Sequence, residues 1–134
     1  MKTIIQGRAI SKGVAQGEAL VGKDSLSFLG GIDPRTGIVI EKGNALEGKC
    51  VAGKVLVFPR GKGSTVGSYV IYQLAKNKVA PAAMINAESE IIVAVGAIIS
   101  GIPMVDRLEK NGIESIKDGT KIMVDGNKGT AEIL

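Results

Sequence analysis

Short runs of β-branched and aliphatic residues, separated by glycine-containing turns, dominate the first third of the chain. The runs over Thr3–Ile10 and Val14–Val21 predict two strands, and Leu26–Leu29 predicts a short third one. Residues 30–37 form a loop-like stretch, after which Ile38–Ile40 predicts another strand. This part of the chain is therefore expected to consist of strands joined by tight turns.

From residue 54 onward the pattern predicts strands that alternate with helices. Lys54–Phe58 reads as a buried strand, and Val70–Lys76 has the apolar spacing of a helix. A second strand and helix are predicted at 82–86 and 88–99. Three further strands are predicted at 103–105, 120–124 and 130–134, the last two forming a hairpin around residues 125–129. The order of elements predicts one mixed α/β domain over residues 1–134.

Composition narrows the classes of partner. Hydrophobic residues make up 45% of the chain but aromatic residues only 3%, so an aliphatic core is expected and few rings are available to stack on bases. The net charge of +4 is scattered, which favours a small anionic ligand over nucleic acid. The apolar stretch Ile91–Ile99 is too short to span a bilayer, and Gln6 and Arg8 interrupt the only signal-like run. We therefore expect a cytoplasmic protein with no nucleic-acid or membrane partner.

The scarcity of cysteine and histidine restricts the chemistry. Cys50 is the single cysteine and histidine is absent, so the chain has no internal disulfide and no ordinary zinc or iron–sulfur ligand set of its own. A histidine general base and a Ser-His-Asp triad are excluded. Proton transfer must use another side-chain type or a group on a partner.

A basic, glycine-rich loop, Phe58–Tyr69, follows the strand that ends near Phe58. Arg60 and Lys62 carry positive charge, and the backbone of Gly63–Thr65 leads towards the predicted helix, where free N–H groups favour anions. Ser64 stands where a helix cap is expected and is also a candidate base. A tight turn with a capped helix explains the same residues equally well.

This loop resembles two nucleotide-binding motifs but lacks residues that each of them requires. A P-loop requires glycine where Leu56 stands and Ser or Thr where Gly63 stands. A dinucleotide-binding fingerprint requires a third glycine that the Ser64-Thr65-Val66 continuation lacks. The loop is therefore not predicted to bind a nucleotide in either of these ways.

Four other polar residues are candidates for ligand contacts. Asp33 and Arg35 flank a proline in a polar loop, where a plain turn is the simpler interpretation. Asn86 and Asp106 stand at predicted strand ends, where α/β proteins often bind ligands. Taken alone, Asn86 also fits a helix cap, and Asp106 with Arg107 fits a surface ion pair.

Several motifs occur together and in order along the chain. They are Gly7–Gly13, Asp33–Gly37, Pro59–Tyr69, Ala87-Glu88 and Gly101–Asp106. In this combination they resemble the aconitase X group, and within it the small subunits of archaeal phosphomevalonate dehydratases. The resemblance covers nearly the whole chain.

The resemblance implies a swivelling β/β/α domain, like the small domain of aconitase, made as a separate chain. It implies a large partner subunit, in a heterodimer or a higher assembly, that carries a 4Fe–4S cluster, with no cofactor bound by this chain. The implied reaction is dehydration of (R)-5-phosphomevalonate, a phosphorylated hydroxy acid, to trans-anhydromevalonate 5-phosphate in a modified mevalonate route to isoprenoids. Ser64 corresponds to the serine that acts as base in the aconitase superfamily.

We combine this resemblance with the polar positions to predict a site. Ser64 is the predicted proton acceptor, and the developing negative charge needs cations and amides close by. The predicted substrate-binding residues are Arg60, Lys62, Gly63, Thr65, Asp33, Arg35, Asn86 and Asp106. Two alternatives stay open: dehydration of another hydroxy acid such as a hydroxyproline, and a non-catalytic anion-binding or regulatory module.

Overall fold

Within residues 3–134, the part of the chain that the computed structural model describes, ten strands and three helices are formed. The strands are β1 (Thr3–Gln6), β2 (Arg8–Ser11), β3 (Val14–Val21), β4 (Leu26–Ser27), β5 (Val55–Phe58), β6 (Gly61–Lys62), β7 (Ala83–Asn86), β8 (Met104–Asp106), β9 (Lys121–Asp125) and β10 (Thr130–Ile133). The helices are α1 (Gly67–Lys76), α2 (Ile91–Ser100) and α3 (Gly112–Ser115).

Eight of these strands form one continuous sheet in the order β1-β10-β9-β3-β5-β7-β8-β2, and β4 pairs with β6 separately. Strand β3 joins two halves of the sheet. Its first five residues pair antiparallel with β9, whereas Ala19–Val21 pair parallel with β5. The half beyond β9 is antiparallel, and β5, β7 and β8 run parallel to one another.

The two halves of the sheet and the helices form three layers around two cores. One core lies between the parallel strands and helices α1 and α2, where Leu56 and Met84 meet Ile71. The other lies between the two halves of the sheet, where Val57 and Ile85 meet residues of the antiparallel half such as Val124. Alternate residues of β5 and β7 thus face opposite cores, as their unbroken apolar sequences require. The predicted mixed α/β, β/β/α architecture is confirmed.

The predicted first strand is wrong in one respect, because Thr3–Ile10 is two strands. Gly7 separates β1 from β2, which pair at opposite ends of the sheet with β10 and β8. A Cβ atom on Gly7 would lie 2.6 Å from the carbonyl oxygen of Asp106, so the chain needs glycine at this close crossing. An apolar pattern reports which residues are extended but not where they pair.

Other boundaries also differ from the sequence prediction. Ile38–Ile40 forms only isolated bridges, of Ile38 with Cys50 and of Val39 with Ile32, because the surrounding loop folds on itself. Strand β6 and helix α3 were not predicted, since two and four residues are too short for a periodic signal. The strands at 82–86 and 103–105 and the hairpin of β9 and β10 are confirmed to within one or two residues.

Candidate active site

The carboxyl ends of four parallel strands meet at one edge of the sheet. Strands β3, β5, β7 and β8 run in the same direction, so the segments that follow them emerge together. After β5 comes the loop with Ser64, after β7 the segment Ala87–Glu90, and after β8 Arg107. Ligands of open α/β sheets commonly bind at this edge.

Ser64 lies in the exposed turn that leads into α1. The helix begins at Gly67 with Val66 as N-cap, so Ser64 is not the cap that the sequence predicted. Its carbonyl accepts a hydrogen bond from the Gly67 N–H at 2.9 Å, and its Oγ accepts one from the Val66 N–H at 3.1 Å. Ser64 therefore closes a turn of its own before the helix starts, and its hydroxyl is accessible.

Three consecutive backbone N–H groups in this turn are available to a ligand. Among residues 3–134, none accepts a hydrogen bond from the N–H of Gly63, Ser64 or Thr65. Gly63 has φ of +96°, a left-handed conformation that favours glycine. By contrast, the first amides of α1, those of Gly67 and Ser68, donate to turn carbonyls. The turn, and not the helix end, thus offers the groups that attract an anion.

The two cations of the loop have different surroundings. The Nζ atom of Lys62 lies 3.1 Å from Oε2 of Glu41. Arg60 is exposed, and no carboxylate of the described residues lies within ion-pair distance of its guanidinium. Arg60 is therefore the cation of the loop whose charge is free for a ligand.

Glu41 is a charged residue of this region that the sequence did not indicate. Its carboxylate also accepts hydrogen bonds from the Ser27 N–H at 2.9 Å and from Asn44 Nδ2 at 3.3 Å. Burial disfavours its charged form, but these bonds and Lys62 outweigh burial and lower the pKa of Glu41 below its ordinary value. Glu41 lies more than twenty residues before Lys62 in the sequence, so no local motif could have shown the contact.

Asp106 is fully buried and accepts three hydrogen bonds. Arg8 donates from Nε at 2.9 Å and from Nη2 at 2.7 Å, and the Ser89 N–H donates at 2.8 Å. Burial raises the pKa of Asp106, but the bonds from Arg8 and Ser89 lower it further, so that it lies below its ordinary value. The contacts that the structure shows for Asp106 orient Arg8, and its predicted contact with substrate stays a prediction.

Asn86 is adjacent to Asp106 in register and is also fully buried. Its Nδ2 donates to the carbonyls of Phe58 and Ile85, whereas its Oδ1 accepts no hydrogen bond from residues 3–134. The alternative role as helix cap is wrong, because Glu90 caps α2 by accepting from two backbone N–H groups. The predicted substrate contact of Asn86 stays a prediction.

Asp33 and Arg35 are not brought together with Ser64. Asp33 Oδ1 accepts the Arg35 N–H at 2.9 Å, which lowers the pKa of Asp33, and the Pro34 carbonyl accepts a bond from Asn77 just beyond the end of α1. Ser64 precedes the start of the same ten-residue helix, which is about 15 Å long. The predicted role of these two residues stays a prediction, at the far end of α1.

The turn of residues 63–66, called the Ser64 turn from here on, is held against the start of α2. The Ser68 hydroxyl donates to the Ile92 carbonyl at 2.7 Å, and Gly61 lies so close to Glu90 and Val93 that a Cβ atom would overlap both. Helix α2 contains no charged residue and exposes four apolar side chains: Ile91, Val95, Ile98 and Ile99. The exposed apolar surface of α2 therefore lies next to the Ser64 turn.

A cleft of about 360 Å³ opens at the same edge of the sheet, beside α3. Val21, Val57 and Ile113 give it apolar walls, and Lys23 and Glu114 are its charged lining residues. Its size suits a small molecule. Ser64 does not line the cleft, so it is separate from the turn.

The described residues offer no metal site and no membrane span. No group of three Cys, Asp or Glu side chains among residues 3–134 is arranged to hold a metal ion, and Cys50 is exposed, with Sγ 3.5 Å from the Thr36 carbonyl oxygen. No helix in the same range is long and apolar enough to cross a bilayer.

Known proteins resemble this chain over nearly its whole length. A family model of the aconitase X swivel domain matches residues 4–133. A protein of Methanocella arvoryzae named phosphomevalonate dehydratase small subunit is 69% identical over 129 residues, which cover 96% of this chain and 98% of that protein. A protein of the same name from Pyrococcus furiosus is 54% identical over 130 residues, covering 97% of this chain and 95% of that one.

Solved structures show the same fold. The crystal structure of Thermococcus kodakaraensis aconitase X in its holo form has a TM-score of 0.94 and 55% identity, with 98% of both chains covered. A second relative, determined by solution NMR, has a TM-score of 0.90 and 49% identity over 98% of this chain and 99% of that one. The resemblance that the motifs indicated is thus confirmed, and the chain belongs to the aconitase X swivel-domain family.

Proposed function

We propose that this chain is the small subunit of a phosphomevalonate dehydratase and that Ser64 is its proton acceptor. The relatives that carry this name match almost the whole chain and are themselves almost wholly covered by it. The observation that carries the role of Ser64 is its exposed hydroxyl within a turn that has three free N–H groups. Such a turn suits chemistry in which negative charge develops.

A serine hydroxyl is a weak base, and it acts as one only when its alkoxide is stabilised. The Val66 N–H already donates to Ser64 Oγ at 3.1 Å, and a donated hydrogen bond favours the charged form of an oxygen. No carboxylate of residues 3–134 pairs with Arg60, which therefore adds a positive charge to the same loop. These groups together favour an ionised Ser64 once water is excluded from the turn.

The free amides of Gly63 and Thr65 flank Ser64 on both sides and are available for the substrate. In the proposed reaction Ser64 removes the proton next to the substrate carboxylate, and the negative charge that develops there is stabilised by donors already in place. Because these donors are backbone groups, they need little rearrangement during the reaction.

The proposed reaction also needs a group that this chain does not hold. The donor set of residues 3–134 does not fit an iron–sulfur cluster, since Cys50 is the single cysteine and is exposed. We assign the 4Fe–4S cluster to a large partner subunit, where its Lewis acidity would act on the leaving hydroxyl. The exposed turn and the apolar surface of α2 beside it support the need for such a partner.

The proposal is tested by co-producing the chain with the large subunit under anaerobic conditions and measuring water loss from 5-phosphomevalonate. Ser64→Ala is compared with Ser25→Ala, a control in which the lost hydroxyl has no hydrogen bond in the described residues. We expect Ser64→Ala to lower kcat by at least about 1,000-fold and Ser25→Ala to leave it unchanged. An active Ser64→Ala complex would refute the role of Ser64. A wild-type complex that is inactive on 5-phosphomevalonate but active on another hydroxy acid would refute the substrate, and no turnover of either would favour a regulatory module.

A further inference from the structure

One carboxylate, that of Glu41, connects three segments that are distant in sequence. It accepts the Ser27 N–H of β4, the side chain of Asn44 in the following loop, and Lys62 of β6. Its side chain is only 18% exposed. We propose that Glu41 is a positioning residue for the Ser64 turn, a proposal that rests on the proposed role of Ser64.

The contacts of Glu41 lead directly to the turn. Ser27 pairs with Lys62 in the two-stranded sheet of β4 and β6, and Gly63 is the next residue along the chain. A Cβ atom on Gly63 would lie 2.8 Å from Ser27 Oγ, so the backbone of the turn rests against this serine. Glu41 therefore holds two parts of the structure in place. One is β4, against which the turn rests, and the other is Lys62, the residue that directly precedes the turn.

Lys62 was predicted from sequence to stabilise negative charge at the site. Its ion pair with Glu41 places opposite formal charges 3.1 Å apart, so the two residues together carry no net formal charge. The contribution of Lys62 is thus to anchor the turn, while Arg60 supplies the free positive charge. Glu41 is the residue that converts Lys62 from a mobile surface cation into an anchor.

A second lysine–glutamate pair shows why the burial of Glu41 matters. Lys54 and Glu18 lie 3.4 Å apart, but the Glu18 side chain is 63% exposed and accepts no further hydrogen bond from residues 3–134. Exposed pairs of this kind contribute little to stability. Glu18 therefore provides a matched control for the loss of a lysine–glutamate pair.

The first test measures the order of the turn in the full 134-residue chain by ¹⁵N relaxation. We compare Glu41→Ala and Glu41→Gln with Glu18→Ala. In Glu41→Ala we expect the order parameters of residues 63–65 to fall from about 0.85 to below about 0.6, with no change in Glu18→Ala. Glu41→Gln keeps an oxygen acceptor for the Ser27 N–H and should retain an intermediate order, and it replaces Glu41→Ala if that variant does not fold.

The second test measures activity in the complex with the large subunit. A displacement of about 1 Å can lower a rate by about 100-fold, so we expect Glu41→Ala to lower kcat by about 10- to 100-fold at saturating substrate. Lys62→Ala in the Glu41→Ala background should add little, because one removal already breaks the anchor.

The proposal is refuted if every Glu41 variant that folds keeps an ordered turn and a kcat within about twofold of wild type. The proposal is also refuted if the losses in kcat of Glu41→Ala and Lys62→Ala add up in the double variant, since residues of one anchor should not act independently. These outcomes leave the role of Ser64 intact, because that role depends on Ser64→Ala alone. An active Ser64→Ala complex would instead refute the proposed role of Ser64, and the order parameters would still show whether Glu41 positions the turn.

Discussion

Gly63→Ala tests how strongly the Ser64 turn depends on its backbone. With φ of +96° this position is strained for any residue with a Cβ atom, at about 1–3 kcal/mol. The new Cβ would lie 2.8 Å from Ser27 Oγ, whose hydroxyl donates to the Leu29 carbonyl at 3.0 Å. Moving that hydroxyl away breaks a hydrogen bond that contributes about 1 kcal/mol. We expect the free energy of unfolding to fall by about 2–4 kcal/mol in total.

Gly53→Ala is the matched control. Gly53 also has positive φ, of +71°, but a Cβ atom there would meet no atom within 4 Å. It lies just before β5, at the opposite end of that strand from the turn, where its N–H donates to the Ala80 carbonyl. Gly53→Ala should lower the free energy of unfolding by about 1–2 kcal/mol through backbone strain alone and leave kcat unchanged.

Both variants are measured by denaturant unfolding of the isolated chain and by turnover in the assembled complex. Each kcal/mol should lower Tm by about 3–5 °C in a chain of this size. We expect Gly63→Ala to lose at least about 100-fold in kcat even where it is fully folded, because the free amides change direction. If Gly63→Ala loses stability but turns over like Gly53→Ala, the turn does not position the reacting groups and the reasoning fails.

Three further predictions concern the supporting structure. Asp106→Asn should lower the free energy of unfolding by about 2 kcal/mol at pH 7 through its lost bonds to Arg8. Because folding lowers the pKa of Asp106, this difference is fully present above about pH 4 and is lost as pH falls through the folded pKa, so a series of unfolding curves recorded from pH 7 downward should show the two stabilities converge. Arg107→Ala removes an exposed pair with Glu88 at 2.6 Å and should leave Tm unchanged in a thermal melt. Gly126→Ala would make Cβ overlap the Ser11 carbonyl oxygen, so we expect the free energy of unfolding to fall by more than about 4 kcal/mol and circular dichroism to show no cooperative melt.

The elements that sequence predicted well are those with a strong local pattern. The unit of β5, loop and α1 and the hairpin of β9 and β10 follow from apolar runs and glycine-rich turns. The division of the first run at Gly7 was not predicted, because it depends on the close approach of Asp106 from nearly a hundred residues away. Local patterns contain no information on such a contact.

The candidate site shows the same division between local and distant information. Ser64 and its neighbouring amides were found because glycine, serine and basic residues stand together in one loop. Glu41 and Arg8 were missed because each acts on a residue far along the chain, Lys62 and Asp106 respectively. The topology of the sheet brings these partners together, and only the structure reveals it.

Formal charge in a motif is therefore not the same as charge that a ligand can use. Lys62 and Asp106 both stand in motifs that predicted substrate contacts, yet each is engaged by a partner within the chain. A buried carboxylate with three donors is already compensated and has little left to offer a substrate. By the same argument, Arg60 and the amides around Ser64 keep hydrogen-bond donors for a ligand, because the described residues provide no acceptor for them. Under the proposed function, the reacting region is the turn that combines an accessible serine hydroxyl with backbone donors for which residues 3–134 provide no acceptor.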